Sequence, residues 1–347
     1  LSLVLTDGAR AIDCMANKPL RRYQPVETKA FSIDYYTGYK ILRRGGDQVL
    51  LKNKGSKLDC QSSLFQIETP VEKIVLTSTT QLPALELLSL EKSLVGFQGK
   101  KYIYSQRFKQ DQISNISLPL IPEELLKIKP DLVMSYELNI ASNKIISQMR
   151  KMQIPVVLNN DYLERGALAR AEWIVYTASF FNKEEDAKKI FQEITEKYKA
   201  LKREIATIKQ KKKILVGDIQ NGKWVTCGGQ SDLAGLIKDA GGVLLLSSKS
   251  PATQSRSLED LYMISSTVDI WLTQNRWKNI NEQSSDSRYK KIKARKIFNN
   301  HKKIAASGTN DYWEMGMARP DIMLEDLASV FYPERFPSHG LVWYQQL

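Results

Sequence analysis

The chain has 347 residues, 42% of them apolar, and a formal net charge of +13. That is room for two ordinary domains and the composition of a globular protein, which excludes disordered, collagenous and coiled-coil chains. No uncharged apolar run of about 18 residues occurs, so no segment reads as a membrane-crossing helix, and no zinc-finger, RNA-recognition or basic-zipper pattern accompanies the positive charge, so nucleic acid is not an expected partner.

Residues 1–29 read as an export remnant or loose terminus, with small residues around Ala9-Arg10-Ala11 as at a signal cleavage site. Phe31-Ser32-Ile33-Asp34-Tyr35 alternates apolar and polar side chains and meets a turn at Thr37-Gly38, which predicts a hairpin. Short apolar strands then alternate with helices: strand 73–76, helix 82–90, strand 93–96, helix 122–128, strand 131–134, helix 141–151 and strand 155–158. Residues 167–181 are largely apolar, with no Pro or Gly after Gly166, and predict one unbroken helix crossing once between two lobes. From Asn182 onward Ala187, Ile190, Phe191, Ile194, Tyr198, Leu201 and Ile205 recur at spacings of three and four, an amphipathic helix.

The alternation restarts with strand 213–217, helix 233–240 closed by Gly241-Gly242, strand 243–246, helix 258–264, strand 269–273, helix 287–294, strand 303–306 and helix 320–331. Strand–helix alternation implies α/β architecture with mostly parallel sheets. The expected organisation is an N-terminal lobe over 30–165, a linking helix over 166–182 and a C-terminal lobe over 183–347. The lobes are Rossmann-like, with a ligand cleft between them.

Ligands of such sheets bind beyond the carboxyl ends of the strands, so the loops there hold the candidates. Tyr102, Tyr104 and Arg107 from the first lobe, and Trp224, Arg276, Trp277 and Trp313 from the second, suit a ligand with flat faces and anionic edges, because rings pack and guanidinium groups pair with oxygen. Catalytic patterns are poor. His301 and His339 are the only histidines, and HExxH, GxSxG and a Walker loop are absent. Cys227-Gly228-Gly229-Gln230-Ser231 lacks the spacing of a phosphate loop. The three cysteines lack zinc-site spacing; Cys14–Cys60 is the pairing expected if one disulfide forms. Residues 288–303 carry eight Lys or Arg and no acid, a solvated basic face or a contact for an anionic surface or ligand.

Several stretches, in order, resemble the periplasmic binding proteins for ferric siderophores, haem and cobalamin, whose two lobes are joined by a stiff helix. They are Tyr162-Leu163-Glu164, Arg170-Ala171-Glu172-Trp173-Ile174 and Phe180-Phe181-Asn182-Lys183-Glu184; Trp224-Val225, Gly228-Gly229-Gln230-Ser231 and Asp239-Ala240-Gly241-Gly242; and Gly308-Thr309-Asn310-Asp311-Tyr312-Trp313-Glu314, Arg319-Pro320-Asp321, Tyr332-Pro333-Glu334 and Trp343-Tyr344. Ser78-Thr79-Thr80 and Lys129-Pro130-Asp131-Leu132-Val133 are shorter echoes. Cys227 before the glycine turn, the missing proline over 163–168 and the loosely similar hairpin region depart from the pattern.

The resemblance implies a monomeric, non-enzymatic capture protein outside the inner membrane, without cofactor or resident metal. It implies delivery of a small-molecule metal chelate to an ABC importer permease. Docking would use Glu123 in the first lobe and Glu259 in the second. The basic balance favours an anionic iron(III)-siderophore-type chelate. Cobalamin or haem is the alternative, haem being less favoured because Tyr is the only abundant axial-ligand type. Rival readings are an α/β enzyme using the same cleft and a basic adhesion or scaffold protein.

Overall fold

The computed structural model describes residues 12–58, 60–137, 140–283 and 286–347. The cleavage-site reading over 9–11 lies outside the described residues. Among these residues no helix is long and apolar enough to cross a membrane.

The centre of the first lobe is a five-stranded, fully parallel sheet in the order Ser114–Ile116, Leu94–Gln98, Ile74–Leu76, Leu132–Ser135, Val156–Leu158. Its inner strands are short continuous apolar runs because both faces are covered. Ile74, Leu76, Leu132, Met134 and Val157 face one core, while Val75, Val133, Val156 and Leu158 face another. The second lobe repeats the plan as Gly242–Leu244, Lys212–Val216, Ile270–Thr273 and Lys296–Asn299 in parallel, closed by antiparallel Gln345–Gln346.

A further five-stranded sheet precedes the first lobe: Arg21–Tyr23, Phe31–Tyr36, Tyr39–Arg44, Asp47–Asn53 and Phe65–Thr69. The predicted hairpin is its middle pair. Inward Phe31, Ile33, Leu42, Val49 and Leu51 join the first core. Lys40 fastens this sheet: its buried ammonium donates to Ser179 O, Asn182 Oδ1 and Glu184 Oε1, each at 2.7 Å. A disulfide joins Cys14 to Cys60, beside the paired strands Ile12–Asp13 and Cys60–Gln61. Cys227 is a free thiol.

The segment expected as one helix over 167–181 is divided at Glu172 into Ala167–Ala171, Trp173–Ala178 and a 3-10 turn Ser179–Phe181. Glu172 is buried, and its carboxylate accepts from Tyr23 Oη, Val26 N, Glu27 N and Thr28 N at 2.8–3.0 Å. Ala167 and Leu168 pack on the second lobe's core, whereas Ala171, Trp173, Ile174, Val175, Tyr176 and Ala178 belong to the first. The next helix, Glu184–Ala206, returns: Ala187 and Phe191 lie in the first core, Tyr198 and Ile205 in the second. Two helical segments therefore span the lobes, where the sequence suggested one crossing.

Two other expectations are corrected. Residues 287–294 form only the 3-10 turn Tyr289–Lys291, because Tyr289 and Ile292 are pulled into the core beside Trp271. The strand expected over 303–306 lies at Lys296–Asn299. There Ile297 and Phe298 bury on opposite faces of the sheet, whereas Ile304 makes only an isolated bridge with Asn310.

Candidate functional site

In the first lobe the strand order reverses beside Ile74–Leu76. The chain moves from it outward through Leu94–Gln98 and Ser114–Ile116, then resumes on its other side at Leu132–Ser135. Loops diverge at such a point and leave a crevice at the carboxyl ends. Thr77 to Thr79 follow the central strand, and Gln81 Oε1 holds the Thr77 and Ser78 amides, both at 3.2 Å. Tyr136 follows Ser135 and packs edge-on against Tyr162, with ring centroids 6.1 Å apart. After Leu94–Gln98 the chain turns at Gly99 with φ +71°; a Cβ there would lie 2.8 Å from the Tyr102 ring, so glycine lets that ring fold over its own turn.

The second lobe places its wall through a buried carboxylate. Asp218 accepts from Thr273 Oγ1, from Gln274 N at 2.8 Å and from Asn275 Nδ2. Burial pushes its pKa up to about 6, against those hydrogen bonds. The loop so held projects Arg276, whose Nη2 reaches Gly308 O at 3.4 Å. Gly308 has φ +85°, and a Cβ there would fall 3.0 Å from Arg276 Nη1. His301 Nδ1 lies 3.1 Å from Asn275 O. A carbonyl only accepts, so Nδ1 carries the proton and Nε2 is left as an acceptor when the ring is neutral. Burial lowers the His301 pKa and favours that neutral form.

The two walls enclose a cavity of about 600 Å³ lined by Thr77, Tyr102, Tyr136, Arg276, His301 and Trp313 among others, within the range of small-molecule sites. Tyr102 and Trp313 remain 54% and 46% exposed, so their rings are available to a ligand. At the floor, buried Glu314 stitches the lobes: its carboxylate accepts from Tyr104 N at 2.9 Å and Ser105 N at 3.2 Å. Burial pushes Glu314 up to about 7, with nearby Asp311 and Glu86 adding to the shift and the two amide bonds opposing it.

Of the residues expected to face a ligand, Tyr102, Arg276 and Trp313 line this cavity. The other four do not. Tyr104 contributes its backbone amide to Glu314. Arg107 points away and pairs with Glu91 and, at 3.9 Å, with Glu86. Trp224 is fully buried, its Nε1 donating to Val216 O at 3.1 Å and its ring against Trp271. Trp277 packs edge-on to Trp271 and Tyr289. Tyr136 and His301 also line the cavity, where the sequence reading does not place them. Tyr136 follows an expected strand by two residues and was legible as a loop position. His301 was hidden by the misplaced strand at 303–306.

Glu123 is exposed in the first turn of Pro122–Ile128, and Glu259 in the first turn of Leu258–Ile264. Neighbouring Glu124 has a local task, accepting from Ser117 N at 2.9 Å and Ser117 Oγ at 2.6 Å. Among the described residues no cluster of three His, Cys, Asp or Glu side chains is placed to hold a metal ion.

A family model of periplasmic binding proteins matches residues 74–306. An uncharacterised lipoprotein of Methanocaldococcus jannaschii is 22% identical over 326 residues, which covers 86% of this chain and 76% of the relative. Two solved structures share the fold. An ABC transporter substrate-binding protein of Listeria monocytogenes aligns at 16% identity and a TM-score of 0.54, over 76% of this chain and 99% of that one. The periplasmic heme-binding protein RhuT of a Roseiflexus species aligns at 16% identity and a TM-score of 0.57, over 76% and 98%.

Proposed function

We propose, from the premise that the chain belongs to the periplasmic binding protein family, that it is the substrate-binding protein of an ABC importer and captures an iron(III)-siderophore-type chelate. The observation that carries the reading is the inter-lobe cavity. It combines three aromatic faces, Tyr102, Tyr136 and Trp313, with one guanidinium, Arg276. Rings pack on the flat ligand arms of a chelate, and Arg276 pairs with its anionic edge. Non-enzymatic capture fits a wall with hydroxyl, amide and ring groups around a single cation.

The protein then acts as a monomer on the outer face of the cytoplasmic membrane, in the periplasm where one exists. It delivers its load to the permease through Glu123 and Glu259, one carboxylate from each lobe. Both are exposed and sit in equivalent first turns of helices.

Haem is the second reading. It is favoured by His301, whose Nε2 is free to accept, and by two tyrosines in the same cavity. Fluorescence titration with a ferric catecholate, a ferric hydroxamate, haemin and cobalamin separates the readings. A saturable one-to-one quench by a ferric siderophore, without turnover, is expected. Tight binding of haemin alone, with an absorbance band altered in His301→Ala, would replace the first reading with the second. No binding of any of the four sinks both.

A further inference from the structure

The two loops that carry rings into the inter-lobe cavity are each fixed to their own lobe. In the first lobe Tyr102 ends the turn Lys100–Tyr102, and Ile103 and Phe108, on either side of the next segment, are buried in the first core. Between them Ser105 Oγ donates to Glu86 Oε2 at 2.5 Å, and Arg107 pairs with Glu91. In the second lobe Trp313 ends the turn Asp311–Trp313. Tyr312 is buried in the second core, and Trp343 Nε1 donates to Asp311 Oδ2 at 2.9 Å. With both loops anchored, the spacing of the Tyr102 and Trp313 rings depends on how the lobes are held together.

Glu314, the residue after Trp313, crosses that gap. Both of its oxygens are used, Oε2 on the Tyr104 amide and Oε1 on the Ser105 amide, two and three residues after Tyr102. Other ties between the lobes sit on the linking segment: Gly166 N donates to Asp232 Oδ1 at 2.9 Å, and Arg170 Nη1 meets Met317 Sδ at 3.5 Å. Glu314 instead lines the cavity itself. Parting the lobes there withdraws both amides from a buried carboxyl group at once, and a buried polar group left without its hydrogen bonds costs free energy. The bridge therefore favours one separation of the two loops over a range of separations.

We infer, on the reading of this cavity as the ligand site, that Glu314 is a positioning residue for recognition. By bridging the two loops it sets the separation of the Tyr102 and Trp313 faces and holds the cavity closed around its contents. Ser105 and Arg107 anchor the loop that receives the bridge, through Glu86 and Glu91.

The test uses the full chain carrying Cys227→Ser, with spin labels on Gln106→Cys and Ala306→Cys, exposed positions beside the two loops. Dipolar distance measurement on the ligand-free protein should give one narrow distribution. Glu314→Ala removes both acceptors and should broaden that distribution and shift it to longer distance. Glu314→Gln is nearly isosteric but sets an amide donor against one of the two backbone donors. It should give a smaller change in the same direction, and it serves where the alanine variant fails to fold. Displacement kinetics then follow whichever of a ferric catecholate, a ferric hydroxamate and haemin binds. Dissociation should quicken about tenfold in Glu314→Ala, the factor of roughly one net hydrogen bond lost from the closed state. Unchanged distances in both variants overturn the assignment even where the melting temperature falls, since Glu314 then only stabilises the fold. Changed distances with an unchanged dissociation rate overturn it too, because the bridge then does not govern the ligand. Changed distances when none of the three chelates binds support the bridge and count against the chelate reading alone.

Discussion

The two walls of the inter-lobe cavity are built from the same kind of sheet, yet they are reached differently. In the first lobe the loops after four strands open straight onto the cavity, through Thr77, Gly99, Ser117 and Tyr136. In the second lobe the chain leaves Lys212–Val216 into an antiparallel hairpin, Asp218–Gln220 and Lys223–Thr226, which a third strand, Gln254–Arg256, extends. That small sheet covers the carboxyl end of its parent strand and tucks Trp224 against Trp271. The wall is displaced to the loops after Ile270–Thr273 and Lys296–Asn299, which carry Arg276, His301 and Trp313. An indole near the carboxyl end of a strand can thus serve a core or a ligand, and what lies over it decides which.

Tryptophan substitutions test this contrast with the largest expected effect. Trp224→Ala should cost about 3–5 kcal/mol of stability, as for a large side chain removed from a packed core. Trp313→Ala should stay within about 0.5 kcal/mol while reducing the fluorescence response to ligand. Urea denaturation measures the first pair of values. Equal destabilisation by both would erase the distinction between the two indoles.

The floor carboxylate offers a pH-dependent test. Glu314 is held at about 7 in the folded protein, above the ordinary glutamate value near 4.3. A raised carboxyl pKa means the folded state binds more protons than the unfolded state between these values. The contribution is fully present below the ordinary value and is lost as pH rises through about 7. The stability of wild type relative to Glu314→Gln should therefore fall over that window, by on the order of 3 kcal/mol. Denaturation series at several pH values check it. A difference that grows with pH would mean that the ionised carboxylate is the favoured form on the amides of Tyr104 and Ser105.

Arg276 and Arg107 sharpen the comparison further. Both follow strands on loops with aromatic neighbours, but only Arg276 lines the cavity. Arg276→Gln should weaken an anionic chelate about tenfold or more, and Arg107→Gln should leave its affinity unchanged, as read by competition titration. The smallest effect on the isolated protein is expected at Glu123→Arg and Glu259→Arg. Each alters a first-turn acid worth roughly 0.3–1 kcal/mol and should spare ligand affinity. Uptake through a reconstituted importer should nevertheless fall in the double variant, and uptake at the wild-type rate would remove these residues from docking.

Local signals determined much of this protein without tertiary information. The helices expected over 122–128, 258–264 and 320–331 have those bounds in the structure, and two of them begin at a proline, which is favoured in the first turn because its missing N–H is not needed there. Short apolar runs between helices were enough for two mostly parallel sheets, since a strand covered on both faces must be apolar throughout. Only the tertiary structure decided which aromatic residues face the cleft, because Trp224, Trp277 and Trp313 all follow strands and nothing local distinguishes a ring that another element will cover. The same holds for the choice between 296–299 and 303–306 as the strand. Both runs set apolar residues directly after a lysine, and only burial of Ile297 and Phe298 on opposite faces of the assembled sheet favours the first. Long-range hydrogen bonds were equally silent in the sequence. Glu172 on Thr28, Glu314 on Tyr104 and Asp218 on Gln274 join residues far apart in the chain, and a buried carboxylate takes whichever amides the folded backbone brings within reach.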